Sequence, residues 1–170
     1  MIHTTFLSLG SNLGDRRALL CEGINQLVRH PQITLQKVSS LYESEPIEMI
    51  DQPTFFNCAI QISHQLTLMK LLEFCQEIET QSGRVRLIDK GPRTLDIDLL
   101  ISDKLAVRTS RLQLPHPRLA YRQFVLTPLL EIAPYLAHPL NHQPVSALQA
   151  SEDCRGNLIL IEGAFWYAPL

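Results

Sequence analysis

The sequence has no run of about 20 uninterrupted apolar residues, the length that a membrane-spanning helix requires. Its longest apolar tract, residues 124–137, is interrupted by Thr127, Pro128, Glu131 and Pro134. The first residues also carry no basic leader ahead of an apolar block, so no signal peptide is expected. These absences predict a protein with no membrane partner.

Paired or clustered cysteines are missing as well. The chain has 4 cysteines, at positions 21, 58, 75 and 154, and none of them forms a CxxC pair or a zinc-finger spacing. Four reduced thiols are typical of a cytoplasmic protein, because disulfides form mainly in oxidising compartments. We therefore expect a cytoplasmic location.

The sequence also lacks an excess of charge of one sign. The net charge is −2, so a general nucleic-acid binder is not expected and any phosphate chemistry should be local. Neither a Walker A sequence nor GxGxxG is present, which argues against a P-loop enzyme and a dinucleotide binder. A chain of 170 residues with 45% hydrophobic residues is typical of one globular domain, here residues 1–170.

The hydrophobic pattern predicts strands and helices in alternation. One helix should begin after Asp15, and a second should begin after Thr67 and end at Gly83. Strands are predicted at 4–9, 33–42, 55–63, 94–102 and 158–162. The order strand–helix–strand–strand–helix–strand predicts an α+β fold, a ferredoxin-like sandwich with an antiparallel central sheet and extra C-terminal elements.

The segment GPRTLDIDLL, residues 91–100, carries the strongest chemical signal. Alternate residues of a strand share a face, so Asp96 and Asp98 should point together while Leu95, Ile97 and Leu99 face the core. Two adjacent carboxylates suit Mg²⁺, which is commonly held by one or two carboxylates and substrate phosphates. The alternative is a solvated strand face with two ordinary acids.

Arginines surround this acid pair. Arg84, Arg86 and Arg93 lie near it in the sequence, and Arg111, Arg118 and Arg122 follow. Guanidinium groups suit phosphate oxygens and cannot lose their charge, so the cluster favours a triphosphate site. Gly83 and Gly91 would permit the loop between them to move. The alternative is a set of surface ion pairs of little energy.

Two further features are less specific. Phe55 and Asn57 share a strand face, and a ring beside an amide would suit a flat heterocycle with polar edges. Core packing and a turn role are the alternatives for these two residues. His116 lies between prolines and could face a phosphate or be structural, whereas His138 and His142 do not have the spacing of a zinc pair.

Together these segments resemble the family of 6-hydroxymethyl-7,8-dihydropterin pyrophosphokinases of folate biosynthesis. The matching pieces are LSLGSNLGDR (7–16), YESEPIEMIDQPTFFNCAI (42–60), GRVR (83–86), GPRTLDIDLL (91–100) and LPHPRLAYRQFVLTPLLEIAP (114–134). The resemblance implies a monomer that transfers pyrophosphate from ATP to the hydroxymethyl oxygen of the pterin and releases AMP.

The resemblance also implies residue roles. Asp96 and Asp98 would bind two Mg²⁺ ions, and they and the arginines Arg84 and Arg93 would be the catalytic residues. The expected ATP contacts are Glu79, Arg84, Arg86, Arg93, His116 and Arg122. The expected pterin contacts are Ser44, Pro46, Ile47, Phe55, Asn57 and Phe124, with Phe55 and Phe124 on the two faces of the ring.

The sequence departs from some members of this family at two places. Lys90 stands where those members have Trp, in a loop 87–90 that is one residue shorter, and Pro117 stands where some have Tyr. Loops 44–54 and 83–92 are expected to close over the substrates and exclude water. Two rival interpretations are a non-catalytic RNA- or ligand-binding module and another two-metal enzyme such as a nucleotidyl transferase.

Overall fold

The computed structural model describes residues 1–47, 51–83, 91–103 and 105–168, in eight strands, four α-helices and two short 3-10 helices. The strands are β1 (His3–Ser11), β2 (Ile33–Val38), β3 (Leu41–Ser44), β4 (Phe55–His64), β5 (Asp96–Ser102), β6 (Val107–Arg108), β7 (Gln113–Leu114) and β8 (Leu158–Glu162). The helices are α1 (Arg16–Arg29), α2 (Leu68–Gln81), α3 (Gln123–Ile132) and α4 (Val145–Gln149), with 3-10 turns at Leu119–Tyr121 and Ala164–Trp166.

Six strands form one antiparallel sheet in the order β5-β1-β4-β3-β8, and β2 also pairs with β4. The two central strands are therefore β1 and β4, which pair along nine residues from His3↔His64 to Ser11↔Phe56. This topology confirms the predicted ferredoxin-like α+β fold. The C-terminal strand β8 extends the sheet beyond β3, and β6 and β7 form a separate two-stranded ribbon.

The sheet is covered on both faces. On one face, α1 and α2 pack through residues such as Ile24 and Leu71 against Leu9 and Ile60, all of them fully buried. On the other face, α3 and α4 pack against a second cluster that includes Ala59 of β4. Neighbouring side chains of β4 therefore belong to two different cores, as the alternation of side chains along a strand requires.

Local signals fix both long helices. The Asp15 carboxylate accepts from the N–H of Ala18 and caps α1, and the Thr67 hydroxyl accepts from the N–H of Lys70 and caps α2. Gly83 follows α2 with φ of +80°, a conformation that favours glycine. The predicted helix boundaries are confirmed at these positions.

One predicted strand was wrong in its extent. The segment 33–42 is not one strand but two, β2 and β3, separated at Ser39–Ser40. The backbone N–H of Ser40 leaves the sheet and donates to both carboxylate oxygens of Glu131 on α3, each at 3.0 Å. A partner 91 positions away therefore breaks the strand, which no local pattern indicates.

Within the described ranges, no helix is both long and apolar enough to cross a membrane. The four cysteines are free thiols, two of them fully buried in the core cluster under α1 and α2.

Candidate active site

A cavity of about 480 Å³ opens where the ends of β1, β3, β4 and β5 meet the start of α3. Its lining comes from these strands, from the loop after β3 and from the C-terminal segment. The lining residues are Ser8, Gly10, Ser44, Glu45, Pro46, Ile47, Gln52, Phe55, Asn57, Arg93, Asp96, Asp98, Arg118, Tyr121, Arg122, Phe124, Asp153 and Arg155.

The floor of the cavity is set by strand register. Asp96 lies opposite Gly10, which lies opposite Asn57, and Asp98 lies opposite Ser8. Residues directly opposite each other on neighbouring strands share a face, so these side chains line one surface. The intervening residue Ile97 is 4% exposed and faces the other way. The prediction that Asp96 and Asp98 share the open face of their strand is confirmed.

Each acid lies beside a positive group. Arg93 Nη1 is 2.7 Å from Asp96 Oδ2, and Arg122 Nη1 is 3.7 Å from Asp98 Oδ2. All four side chains are between about one-fifth and one-third exposed, so these ion pairs are only partly screened by water. The site thus combines two carboxylates for a cation with guanidiniums for an anion, in one partly enclosed space.

The donor set fits Mg²⁺. Among the described residues there is no cluster of three or more His, Cys, Asp or Glu side chains that could hold a metal by themselves. Magnesium does not need one, because it usually keeps several waters and binds through one or two carboxylates plus substrate phosphates. Asp96 and Asp98 provide two such carboxylates on one strand face.

His116 approaches the acids from the loop after β7. Burial, together with Arg122 and Arg118, lowers its pKa from 6.5 to about 4, so the ring is neutral at pH 7. Its Nδ1 accepts from the N–H of Arg118, which places the ring proton on Nε2, 4.0 Å from Asp98 Oδ2. His116 is therefore a neutral donor rather than an ion-pair partner.

A second cleft of about 330 Å³ adjoins the first at Asp98, which lines both. It lies between α2, β5 and the segment around β7, and its lining mixes apolar and polar side chains. The lining residues are Leu72, Ile97, Asp98, Leu99, Ser110, Arg111, Leu112, Gln113, His116 and Pro117.

The residues expected to contact the pterin lie together in the larger cavity. They are Ser44, Pro46, Ile47, Phe55, Asn57 and Phe124. The buried amide of Asn57 donates through Nδ2 to Ser44 Oγ at 2.9 Å. Its Oδ1 lies so near Gly10 that a Cβ there would come within 3.3 Å of it. Glycine at position 10 therefore keeps this amide in place and the floor open.

The residues expected to contact ATP lie in several places. Arg93 and Arg122 line the larger cavity, and His116 lines the second cleft. Glu79 is 4% exposed and lines neither; its Oε1 accepts from the N–H of Ile97 at 2.7 Å, directly behind the acid pair. Arg84 and Arg86, like Leu87 and Lys90, lie outside the described residues.

Several lining residues were missed from the sequence. Ser8 and Gly10 belong to the cavity because they lie opposite Asp98 and Asp96, a relation that only the strand register reveals. Asp153 and Arg155 come from the C-terminal segment, where backbone bonds link Arg155 to Tyr121 and Gln123. No sequence signal connects that segment to the site.

A ferredoxin-like α+β fold with two carboxylates and several arginines around one cavity is suited to phosphoryl-group transfer with a metal ion. A family model described as 7,8-dihydro-6-hydroxymethylpterin-pyrophosphokinase (HPPK) matches residues 6–134. The chain belongs to this family, and it is an enzyme of pyrophosphoryl transfer in folate biosynthesis. The family uses ATP and Mg²⁺.

Curated relatives agree with the family. The chain is 42% identical over 132 residues to the 2-amino-4-hydroxy-6-hydroxymethyldihydropteridine pyrophosphokinase of Bacillus subtilis (strain 168), a match that covers 78% of this chain and 79% of that protein. It is 39% identical over 140 residues to the folic acid synthesis protein fol1 of Schizosaccharomyces pombe, covering 82% of this chain and 19% of that protein. Some relatives are therefore much longer proteins.

Among solved structures, the chain resembles the wild-type HPPK-DHPS of Plasmodium falciparum, with a TM-score of 0.68 at 14% identity. The likeness covers 88% of this chain and 44% of that chain, and it supports the fold. Because the chain belongs to a family of enzymes, the rival interpretation of a non-catalytic binding module is wrong.

Proposed function

We propose that the two cavities hold the two substrates of the reaction, with the acid pair between them. The larger cavity would take 6-hydroxymethyl-7,8-dihydropterin, and the second cleft would take the nucleoside end of ATP. The observation that carries this proposal is that Asp98 lines both cavities, while Asp96 stands beside it on the same strand face. The triphosphate would then cross this strand.

The larger cavity suits a pterin chemically. Phe55 and Phe124 offer two aromatic faces, and the buried amide of Asn57 offers a fixed polar group. Stacking supplies affinity without a charged group. An amide that is already bonded to Ser44 is preorganised to orient one edge of the ring. Ser44, Pro46 and Ile47 would complete the wall beside that edge.

The charged half of the active site, formed by Arg93, Arg122, Asp96 and Asp98, suits a triphosphate. Arg93 and Arg122 already contact Asp96 and Asp98, and these arginines would turn partly towards phosphate oxygens once the substrate binds. Neutral His116 would donate through Nε2 without adding charge. Arg84 and Arg86 are proposed as further phosphate contacts on the family resemblance, and Glu79 would support the acid strand from behind through Ile97.

Asp96 and Asp98 would hold two Mg²⁺ ions. When bound, these ions would neutralise charge along the triphosphate. The chain's own residues would do the rest by positioning. Arg84 and Arg93 would stabilise the charge of the transferring group, and the walls of the larger cavity would hold the pterin hydroxymethyl oxygen in line with the β-phosphorus. The hydroxymethyl oxygen would form a bond to the β-phosphorus and release its proton, while the bond from that phosphorus to the oxygen shared with the α-phosphate breaks and AMP leaves.

The proposal includes one domain over residues 1–170 and a cytoplasmic monomer. The C-terminal segment supports a single domain, because β8 joins the main sheet and Trp166 enters the core under α1 and α2. Light scattering coupled to size exclusion tests the oligomeric state.

The decisive experiment is product analysis with Mg·ATP and 6-hydroxymethyl-7,8-dihydropterin. AMP that appears only when the pterin is present is the expected result. ADP would indicate transfer of the γ-phosphate instead, and pyrophosphate release would favour a nucleotidyl transferase. Either product would contradict the proposed transfer. A parallel reaction with excess EDTA should give no product.

A further inference from the structure

Asn12 follows β1 and is 2% exposed, although it carries a fully polar side chain. Four hydrogen bonds satisfy it. Its backbone N–H donates to Arg93 O at 3.1 Å, and its side-chain Oδ1 accepts from Arg93 N–H at 2.8 Å. Its Nδ2 donates to Gln52 Oε1 and to Pro53 O, both at 3.1 Å. One buried amide thus joins two separate loop segments.

The orientation of this amide is fixed by its backbone partners. Arg93 N–H can only donate and Pro53 O can only accept, so Oδ1 must face Arg93 and Nδ2 must face Pro53. Aspartate at this position would lose the donor, and alanine would lose both contacts. The site therefore requires a side chain with a donor and an acceptor on one short, planar group.

The two joined segments belong to different halves of the cavity. Arg93 contacts Asp96 in the charged half, whereas Pro53 lies two residues before Phe55 in the aromatic half. A second anchor holds the aromatic side: Arg16 Nη1 donates to Thr54 O at 3.0 Å and to Glu43 Oε1 at 2.8 Å. Among the described residues, the Asn12 side chain ties this segment to Arg93 through its bonds to Pro53 O and Arg93 N–H.

We propose that Asn12 is a positioning residue. It fixes the distance between the aromatic half of the active site, which would hold the pterin, and the charged half, which would hold the triphosphate. Its role rests on the proposed function, in which the two substrates bind on either side of this contact. The contacts proposed to bind each substrate lie within one half, whereas transfer needs the reacting atoms of both in near-attack geometry, where an error of about 1 Å can cost about 100-fold in rate. Asn12 acts on that geometry.

The test is Asn12→Ala, with separate measurement of turnover and of binding. The rate of AMP formation at saturating substrates gives kcat. Calorimetry gives the Kd of an ATP analogue with a methylene group between its α- and β-phosphorus atoms, and pterin fluorescence gives the pterin Kd in the presence of saturating analogue. We expect kcat to fall about tenfold or more while each Kd changes by less than about threefold.

Two outcomes would overturn the proposal. One is a folded Asn12→Ala enzyme with unchanged kcat. The other is a loss of affinity for one substrate as large as the loss of kcat, which would mean that Asn12 shapes one half-site only. If Asn12→Ala does not fold, Gln52→Ala removes a single acceptor from the same amide. Because Gln52 also lines the larger cavity, only kcat at saturating substrates and the Kd of the ATP analogue are compared for this variant. The kcat should fall to a smaller extent while that Kd is kept, and unchanged kcat there would overturn the proposal as well.

Asn25→Ala is the matched control. Asn25 is also a buried amide, 8% exposed, and it lies on α1, where it accepts from the Tyr167 hydroxyl at 2.8 Å. This variant should lower Tm and keep kcat and both Kd values. An equal loss of kcat in Asn25→Ala would overturn the specific role of Asn12. The proposed function is tested separately by Asp96→Asn. If that function is wrong, Asp96→Asn should keep its turnover, and this result does not depend on the Asn12 variants.

Discussion

Replacing Asp96 by asparagine should remove activity and leave the fold in place. The side chain is 21% exposed, and its Oδ2 lies 2.7 Å from Arg93 Nη1. Asparagine has the same shape and still accepts from Arg93. A charged hydrogen bond contributes about 1.5–3 kcal/mol and a neutral one about 0.5–1.5 kcal/mol, so the expected loss of stability is about 1 kcal/mol.

A loss of that size corresponds to a fall in Tm of about 2–4 °C for a chain of this length. The core is untouched, because Leu95 and Ile97 are buried on the other side of the strand. The effect on catalysis should be much larger. Loss of one preorganised electrostatic contact in a transition state costs about 2.7–4 kcal/mol, which is about 10²–10³ in rate.

The assay is AMP formation at saturating Mg·ATP and pterin, paired with a thermal melt of the same sample. Asp103→Asn is the matched control at the far end of the same strand. Asp103 is paired with His3 at 2.8 Å and has φ of +45°, which asparagine also tolerates. This control should keep its turnover. An Asp96→Asn enzyme with nearly wild-type turnover would refute the metal-binding role.

The remaining predictions concern the pterin wall and a buried histidine. Phe124→Ala should raise the pterin KM by about 5–150-fold, as expected for a lost stacking contact of about 1–3 kcal/mol. Phe74→Ala on α2 should not raise it, and equal effects of the two substitutions would contradict the stack. Burial and, less strongly, His3 lower the pKa of His64 from 6.5, so the unfolded chain binds more protons below that pH and stability should fall as pH drops from 7.5 to 5. In His64→Gln this slope of stability against pH should be shallower, and identical slopes would be the contrary result.

The sequence was sufficient for the parts of the fold that depend on local rules. Strand alternation predicts which side of β5 carries Asp96 and Asp98, and the capping residues Asp15 and Thr67 predict where two helices begin. These features depend on residues within one turn or one strand. On the pterin side, strand alternation singled out only Phe55 and Asn57, and the other residues were assigned through a family resemblance. All of these roles stay predictions even though the residues line one cavity.

What the sequence did not reveal depends on contacts between distant segments. The break at Ser40 depends on Glu131 of α3, and the place of Gly10 opposite Asp96 depends on the register of β1 with β5. Glu79 is a third case. The family resemblance places it among the ATP contacts, which stays a prediction, and its carboxylate accepts from the backbone N–H of Ile97 behind the acid pair. In each case the partner is decided by tertiary packing.

The two kinds of charged group in the site are therefore held by different means. Asp96 and Asp98 lie on a strand whose pairing with central β1 fixes their direction, so their geometry is as rigid as the sheet. Arg93 precedes that strand, and its backbone is held from both sides by Asn12. Substitutions of the acids should therefore change metal binding and charge stabilisation, whereas substitutions near Asn12 should change the distance between the two substrates. Comparing kcat and Kd in Asp96→Asn and Asn12→Ala separates these two contributions: the first should weaken Mg·nucleotide binding together with kcat, and the second should lower kcat alone.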